Sequence, residues 1–270
     1  MAIYDKSTKE LIKEFLKTFV VPESKGFGLV ERKPIQDGGF FSRQEIISWF
    51  ANNYPKIKKG TVTAHLVLLS TNAPSRIHYN VKFTGTYDIL FQIDSTNFRL
   101  YDKVNDPKPI YENNIVEQVE DVEVENEYSD DNENNYESKE FAYEKDLQNF
   151  LAKNLYVIEE NLKLYEQDEI NGIGYPAGGR FIDILAVDKN NNLVVVELKV
   201  ARGYDRTIGQ ILRYMAWIKK ELADQGQLVR GVIVASHISN DLKLASFSLS
   251  NVELFEYKLA FSLNKIDKNN

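Results

Sequence analysis

Two apolar runs separated by a short polar segment dominate the second half of the chain. The runs span residues 181–187 and 193–200, and the segment between them reads Asp-Lys-Asn-Asn-Asn. Runs of this length, rich in β-branched residues and joined by turn-forming residues, are typical of two neighbouring strands. The pattern therefore predicts a β-hairpin.

Charged residues interrupt both predicted strands. Asp183 lies in the first run, and Glu197 and Lys199 lie in the second. Side chains two residues apart on a strand share a face, so Glu197 and Lys199 are expected together while Leu198 points into the core. Buried charges are unfavourable unless they are paired or bind a metal ion, which makes the three residues a candidate site. The alternative is that Glu197 and Lys199 lie on the solvent-exposed face of an edge strand.

Helical patterns flank the hairpin on both sides. A helix is predicted over residues 141–155, with Glu144 in its first turn. A second helix follows the hairpin and places Gln210 and Tyr214 four residues apart on one face. Later patterns predict strands at residues 229–235 and 252–257 and a helix at 241–248. The order predicts an α/β domain at residues 141–270, with a mixed sheet flanked by helices.

Three helical patterns and three strand-like runs make up the first half of the chain. The helices are predicted at residues 4–21, from a capping box at Ser42 and Glu45 to about Asn53, and from Thr61 to about Ser70. The strand-like runs lie at residues 79–83, 87–93 and 98–101. The order resembles a winged helix-turn-helix, so we predict a winged-helix-like DNA-recognition domain at residues 1–111. The alternative is a small α/β domain used for dimerisation.

Acidic residues are concentrated between the two predicted domains. The chain has a formal net charge of −7, but residues 112–140 contain twelve Asp or Glu and one basic residue. The rest of the chain then carries 32 basic and 28 acidic residues. A segment of this composition predicts a solvated linker. The alternative is that it mimics the charge of DNA and covers a basic groove.

Several classes of site are excluded by composition. The chain contains no cysteine, which excludes disulfides and cysteine-based zinc sites. Its three histidines lack metal-ligand spacing, and no Ser/His/Asp or glycine-rich phosphate motif is present. No apolar run reaches the length of a membrane span, and the N-terminus lacks a signal-peptide pattern. We therefore expect a soluble, cytoplasmic protein that does not bind membranes.

The charged hairpin and the helix that follows it resemble the PD-(D/E)XK nuclease superfamily. The matching residues are Asp183, then Glu197-Leu198-Lys199, then Gln210 and Tyr214. The stretch from about residue 140 to 258 is most similar to the catalytic domain of archaeal-type mismatch and branched-DNA endonucleases. Ile182 stands where the motif has proline, a departure that is common in the superfamily. The resemblance implies a restriction-endonuclease-like fold and DNA hydrolysis.

The chemistry of phosphodiester hydrolysis explains these residue types. Carboxylates such as Asp183 and Glu197 are hard oxygen ligands suited to Mg²⁺ or Mn²⁺, which activate water and offset phosphate charge. Lys199 could orient or help to deprotonate the water and stabilise the transition state. The resemblance further implies that the Leu198 carbonyl completes the metal shell and that Gln210 positions the site. Glu144 matches the additional upstream acid of the family, although an acid favourable to the helix dipole is an equal explanation.

Basic and polar residues predict where DNA would bind. In a helix-turn-helix the recognition helix enters the major groove, and basic residues elsewhere contact phosphates. The predicted contacts are Thr61, Thr63 and His65 from the third helix, Lys56, Lys58, Lys59 and Arg76 near it, and Arg180 and Arg202 beside the hairpin. Ordinary surface charge is the alternative for the lysines and arginines.

The leading functional prediction is a Mg²⁺-dependent, sequence-specific endonuclease for double-stranded DNA, of the type II restriction kind. Cleavage of both strands by such an enzyme implies a homodimer. One alternative is a repair endonuclease for mismatched, branched or single-stranded DNA. Another is a non-catalytic DNA-binding protein on a nuclease fold, and a ribonuclease is also conceivable.

Overall fold

The computed structural model describes residues 4–18, 35–79, 81, 84–111, 144–203 and 206–258, without the side chains of residues 37, 78 and 201–203. We call residues 4–111 the N-terminal unit and residues 144–258 the C-terminal unit. The predicted acidic linker lies outside the described residues, as do residues 19–21 of the predicted first helix.

The N-terminal unit contains three helices and a three-stranded antiparallel sheet. The helices are α1 (Thr8–Thr18), α2 (Arg43–Asn53) and α3 (Lys59–Leu69), and the strands are β1 (Phe40–Ser42), β2 (Leu90–Gln92) and β3 (Asn97–Leu100). The strand order is β1-β3-β2. The predicted capping box at the start of α2 is confirmed, because Ser42 and Glu45 each bond the main-chain N–H of the other.

Two strand predictions in this unit need correction. Strand β1 was not predicted, because its three residues are too few for a readable alternation and it forms only by pairing with β3. The run predicted at residues 79–83 does not begin as a strand, since Tyr79 closes the 3₁₀ helix Pro74–Tyr79. Residues 80, 82 and 83 of that run lie outside the described residues.

The C-terminal unit alternates helices and strands around one sheet. Helix α4 covers residues 144–153 and is followed by the 3₁₀ helix Leu155–Val157. The strands are β4 (Lys163–Leu164), β5 (Glu166–Gln167), β6 (Ile170–Asn171), β7 (Ile173–Ala177), β8 (Arg180–Val187), β9 (Leu193–Gly203), β10 (Val229–Ile238) and β11 (Val252–Glu256). The other helices are α5 (Arg206–Glu221) and α6 (Asn240–Ser246). Among the described helices, none is long and apolar enough to cross a bilayer.

The main sheet has six strands and mixed polarity. Its order is β11-β10-β9-β8-β4, and β7 also pairs with β8. Strands β8 and β9 form an antiparallel pair, whereas β10 runs parallel to both β9 and β11. The predicted hairpin and mixed sheet are therefore confirmed.

Helices cover the main sheet on both faces. On one face, Leu147 and Leu151 of α4 pack against apolar residues of β8, β9 and β10. On the other face, Ile211 and Met215 of α5 share a core with the opposite side chains of the same strands. Helix α5 lies so close to β10 that a Cβ atom at Gly231 would come within 2.7 Å of the Ile211 side chain. The two cores enclose β9, the strand that carries Glu197 and Lys199.

Helix α3 of the N-terminal unit packs against the C-terminal unit. Ala64 of α3 is buried in the same core as residues of β7 and α5. At the start of α3, a Cβ atom at Gly60 would lie 3.2 Å from the Glu221 carbonyl oxygen and 3.3 Å from Trp217. The close approach of the two helices at this position leaves little room for a side chain.

The β5–β6 hairpin also holds the two units together. Its turn residues Asp168 and Glu169 have positive φ angles of 48° and 70°. The carboxylate of Asp168 accepts a 2.6 Å hydrogen bond from the N–H of Thr8 at the start of α1, and its carbonyl oxygen lies 2.8 Å from Nε2 of His65. Lys9 forms an ion pair of 2.9 Å with Glu169. The turn therefore contacts both α1 and α3.

The burial of α3 corrects part of the predicted DNA-binding surface. Thr61, Thr63 and His65 are buried in the N-terminal unit or at its contact with the C-terminal unit. Arg76 is also buried, where it forms an ion pair with Asp88. DNA could contact these four side chains only if the elements that cover them separated. The prediction that they contact DNA is therefore replaced by a packing role.

Candidate active site

The β8–β9 hairpin opens at Asp183. The register between the two strands runs from the Val187–Leu193 pair to the Ile184–Val196 pair and ends there. One residue further along β8, the Asp183 carboxylate accepts a 2.7 Å hydrogen bond from the main-chain N–H of Leu198. The side chain of Asp183 thus takes the place of a main-chain acceptor where the strands separate.

Glu197 and Lys199 form an ion pair on the α5 side of β9. The side chain of Glu197 is 1% exposed, and its Oε1 accepts a 2.6 Å hydrogen bond from Nζ of Lys199. Its other oxygen, Oε2, is buried and has no hydrogen-bond partner among the described residues. Because Glu197 is buried, the alternative that this residue lies on a solvent-exposed face is excluded.

Burial and charge set the protonation of the three residues. Burial, with a smaller effect of the Glu197 charge, raises the pKa of Asp183 well above its usual range. Burial also raises the pKa of Glu197, although the Lys199 ammonium opposes this change. Burial lowers the pKa of Lys199, but the attraction and hydrogen bond of Glu197 outweigh that effect, so this pKa is raised overall. The raised pKa favours the ammonium form of Lys199 in the metal-free protein.

Helix α4 brings two polar residues to the site. Burial is the main cause of the raised pKa values of Asp183 and Glu197, and the negative charge of Glu144 adds a smaller contribution, which indicates that its carboxylate lies near the cluster. One turn later, the side-chain amide of Gln148 donates a 2.7 Å hydrogen bond to the main-chain carbonyl oxygen of Asp183. Gln148 was not singled out from the sequence. Its signal was a polar residue on the stripe formed by Leu147 and Leu151.

Helix α5 contributes Gln210 and Tyr214 on one face. Nε2 of Gln210 lies 3.4 Å from the Tyr214 hydroxyl, which accepts a long hydrogen bond. Burial raises the pKa of Tyr214, while the Gln210 hydrogen bond opposes the change and the charges of Glu197 and Asp183 add to it. The tyrosine hydroxyl therefore lies within the electrostatic field of the carboxylates.

The donor groups fit a hard divalent cation. A buried carboxylate oxygen without a partner is unfavourable unless a cation or a donor meets it, and Oε2 of Glu197 is such an oxygen. Asp183 supplies a second carboxylate, and Leu198, which follows Glu197 directly, has a main-chain carbonyl. In the part of the chain that the structure describes, no group of three or more Asp, Glu or His side chains is close enough to form a metal site alone. Two carboxylates suit Mg²⁺, which commonly keeps several water ligands.

Residues 143–253 match the family model of the Endonuclease NucS C-terminal domain. The predicted resemblance to archaeal-type mismatch and branched-DNA endonucleases is confirmed for this NucS-like stretch. Residues 29–100 match a second model, described as a domain of unknown function (DUF7669).

Relatives of the NucS-like stretch are themselves named Endonuclease NucS. The protein of Pyrococcus abyssi (strain GE5 / Orsay) is 33% identical over 102 residues, which cover 37% of this chain and 36% of that protein. The protein of Sulfolobus acidocaldarius is 32% identical over 98 residues, which cover 36% of this chain and 35% of that protein. The match thus spans about a third of the length of these curated relatives.

Two solved structures are similar to this chain at low TM-scores. A crystal structure of a repair endonuclease from Pyrococcus abyssi is 26% identical, covers 49% of each chain and gives a TM-score of 0.36. A structure of an EndoMS complex with double-stranded DNA is 17% identical, covers 62% of this chain and 53% of that chain, and also gives 0.36.

The remaining predicted DNA contacts lie in different surroundings. Lys58 and Lys59 form ion pairs of 2.8 and 3.0 Å with Asp224 and Glu221, which reduces their availability for phosphates. Lys56 and Arg180 are exposed, and Arg180 begins strand β8 two residues after the Gly178 turn. The side chain of Arg202 lies outside the described residues. Two phosphate contacts were predicted beside the hairpin, Arg180 and Arg202. Of these, Arg180 is the one whose side chain the structure describes, and it is exposed.

Proposed function

We propose that the C-terminal unit is a metal-dependent nuclease that hydrolyses phosphodiester bonds in DNA. The observation that carries this proposal is the cluster of Asp183, Glu197 and Lys199 in a stretch that matches an endonuclease domain. Phosphodiester hydrolysis needs ligands for a cation and a positive group near the phosphate, and this cluster supplies both.

Each residue of the cluster has a proposed role. Asp183, Glu197 and the Leu198 carbonyl would hold Mg²⁺ or Mn²⁺, which when bound activates water and offsets phosphate charge. The Lys199 ammonium donates hydrogen bonds to the phosphate or to the attacking water, and Glu197 fixes its position. Glu144 adds negative charge at the edge of the site, and Gln210 orients the Tyr214 hydroxyl.

Two observations favour a repair substrate, namely mismatched or branched DNA, over the type II restriction prediction. The matched stretch belongs to the endonucleases for which the sequence resemblance implied such substrates. The helix that was expected to read bases, α3, is buried against the C-terminal unit, so the main basis for sequence-specific recognition is removed. Recognition of DNA shape does not require that helix to enter a groove.

The N-terminal unit fits a winged-helix-like module that has been adapted for packing. Its helices and three-stranded sheet occur in the order α1-β1-α2-α3-β2-β3. The turn between β2 and β3 contains Asp94, whose carboxylate accepts hydrogen bonds from Thr96 and Asn97, so this turn presents an acid rather than a base. We therefore propose that the module fixes the C-terminal unit in place and contacts DNA through exposed residues such as Lys56.

Homodimerisation remains a prediction and follows from the chemistry. One active site hydrolyses one strand at a time, so a break in both strands near a mismatch requires two sites. A C₂ dimer would present two clusters with opposite strand polarity. The size of the protein bound to one duplex would test this point.

The proposal is tested with labelled duplexes of one sequence. The substrates are a perfect duplex, the same duplex with a central mismatch, a branched form and the single strand, each with Mg²⁺ or Mn²⁺ and the full chain. Cleavage of the mismatched or branched forms at least tenfold faster than the perfect duplex is the expected result. A mixed-sequence plasmid tests restriction, because discrete fragments sharing one terminal sequence would restore the type II prediction.

Variants separate this chemistry from contamination. Glu197→Gln should abolish cleavage, whereas Glu166→Gln, an exposed substitution on β5, should leave it unchanged. EDTA should stop the reaction. Binding of the duplexes without cleavage under either metal would favour a non-catalytic DNA-binding protein, and cleavage of RNA alone would favour a ribonuclease.

A further inference from the structure

Asp183 has one hydrogen-bond partner for its side chain and another for its main-chain carbonyl. Asp183 lies just beyond the last β8–β9 register pair, Ile184–Val196. Two hydrogen bonds hold it there: its carboxylate accepts from the Leu198 N–H at 2.7 Å, and its carbonyl accepts from the Gln148 amide at 2.7 Å. One bond comes from the neighbouring strand and the other from helix α4.

Gln148 is buried on an otherwise apolar stripe. It is 8% exposed and lies between Leu147 and Leu151, which pack against the sheet. A buried amide on such a stripe is unfavourable unless its N–H groups find acceptors. The carbonyl of Asp183 provides that acceptor. An apolar residue would pack on this stripe without the need for a partner, so packing alone does not explain the amide.

Gln148 also links two charged groups of the candidate site. It lies four residues after Glu144, so both side chains project from the same face of α4. The bond to Asp183 therefore ties the helix that carries Glu144 to the strand that carries Asp183. A shift of α4 or a rotation of the Asp183 main chain would break this bond.

We propose that Gln148 is a positioning residue that holds the Asp183 carboxylate in its ligand position. This proposal rests on the proposed function, because a ligand position has meaning only if the cluster binds a cation. Gln148 acts through the main chain of Asp183 and touches no reacting atom. Partners that orient metal ligands in this way typically contribute tenfold or more to metal affinity.

The test compares Gln148→Met with a matched change on the same helix. Methionine keeps the length of the side chain but removes the donor, and Asn149→Met changes an exposed neighbour. The first measurement is the Mn²⁺ affinity of the full chain, which is determined from the electron paramagnetic resonance signal of the free ion. The second is amide hydrogen exchange by NMR at Leu198, whose N–H reports on the Asp183 carboxylate.

The expected result is a loss of Mn²⁺ affinity of about tenfold or more in Gln148→Met. Exchange of the Leu198 amide should rise about tenfold, while Val196, inside the ladder, stays within about twofold of the wild type. Asn149→Met should change neither quantity. Unchanged Mn²⁺ affinity and unchanged Leu198 exchange would overturn the proposal.

Two further outcomes are informative. A uniform rise in exchange across β8, β9 and β10 would overturn the proposal in favour of a purely structural role for Gln148. If Gln148→Met does not fold, Gln148→Asn, which keeps an amide but shortens its reach, is judged by the same two measurements. DNA cleavage by the wild type is measured in parallel. If the wild type does not cleave DNA, but Gln148→Met still lowers Mn²⁺ affinity and raises Leu198 exchange, the proposed function is rejected and the positioning role of Gln148 stands.

Discussion

Nζ of Lys199 donates a 2.6 Å hydrogen bond to one carboxylate oxygen of Glu197, and the other oxygen of that carboxylate is buried without a partner in the described structure. Only one of the two buried carboxylate oxygens of Glu197 is therefore hydrogen-bonded. Such pairs contribute little to stability, because the desolvation of both ions offsets their attraction. A pair of this kind in the sheet is better explained by the proposed chemistry than by a contribution to folding.

Loss of the ammonium should affect both activity and stability. Lys199→Met removes the positive group that we propose to lie next to the phosphate, so we expect cleavage to fall by about 10²-fold or more in single-turnover assays. It also leaves Glu197 buried and unpaired, so the free energy of unfolding in EDTA should fall by roughly 2–3 kcal/mol in urea titrations.

Two controls make the stability result specific to the pair. Lys153→Met changes an exposed lysine on α4 and should leave both quantities within error. The double variant Lys199→Met with Glu197→Gln removes the unpaired charge and should recover most of the lost stability. A single variant as stable as the wild type would contradict a buried ion pair at this position.

The charge of Asp183 should lower the stability of the metal-free protein. Its pKa is raised in the folded state, so the folded state binds the proton more tightly than the unfolded chain does. The resulting loss of stability begins near the unfolded pKa of about 4 and grows until the pH exceeds the folded pKa. Asp183→Asn retains an acceptor for the Leu198 N–H but removes the charge.

We therefore expect Asp183→Asn to raise the stability in EDTA at pH 7 by about 1 kcal/mol, a size common for stabilising substitutions. The gain should be largely lost near pH 4, where the wild-type carboxyl is protonated in the folded state and about half protonated in the unfolded chain. Urea titrations at several pH values measure it, and cleavage should be lost in the same variant. An equal difference at pH 4 and pH 7 would show that the gain does not come from the charge.

Local patterns predicted the hairpin and its charged residues because their cause is local. The apolar runs at residues 181–187 and 193–200 set the strands, and the two-residue period of a strand sets the faces of their side chains. Glu197 and Lys199 therefore share a face in the structure as the spacing requires. A charge inside a β-branched run is visible without knowledge of the rest of the fold.

The role of α3 could not be predicted because its cause is distant in sequence. His65 contacts the carbonyl of Asp168, 103 residues later in the chain. The positive φ angles of the Asp168–Glu169 turn, which allow that contact, fall on residues that carry no glycine signal. Gln148 was overlooked for a similar reason, since its partner is a main-chain carbonyl that any residue at position 183 would offer.

The contact between the two units should be sensitive to volume at Gly60. A Cβ atom there would lie 3.2 Å from the main-chain oxygen of Glu221, so a branched side chain must push α3 away from α5. We expect Gly60→Val to lower the free energy of unfolding by roughly 1–3 kcal/mol. Calorimetry should show a broader or split transition as the units lose their cooperativity.

Gly38→Val, at a position where a Cβ meets no atom within 4 Å, controls for volume but not for its positive φ of 83°. A single sharp transition at the wild-type temperature would contradict tight packing at Gly60.

The same contact should weaken as the pH falls, because His65 lies at its centre. Burial lowers the pKa of His65, against the opposing effects of the Thr61 and Asp168 carbonyls and the Asp168 carboxylate. The unfolded chain, in which the histidine has a pKa near 6.5, therefore binds a proton more readily than the folded state.

Stability should fall as the pH drops through about 6.5, and this dependence should be smaller in His65→Gln. NMR titration of the ring protons measures the pKa directly, and a value of His65 at or above 6.5 would show that the two carbonyls and Asp168 stabilise the charged ring and reverse the predicted slope.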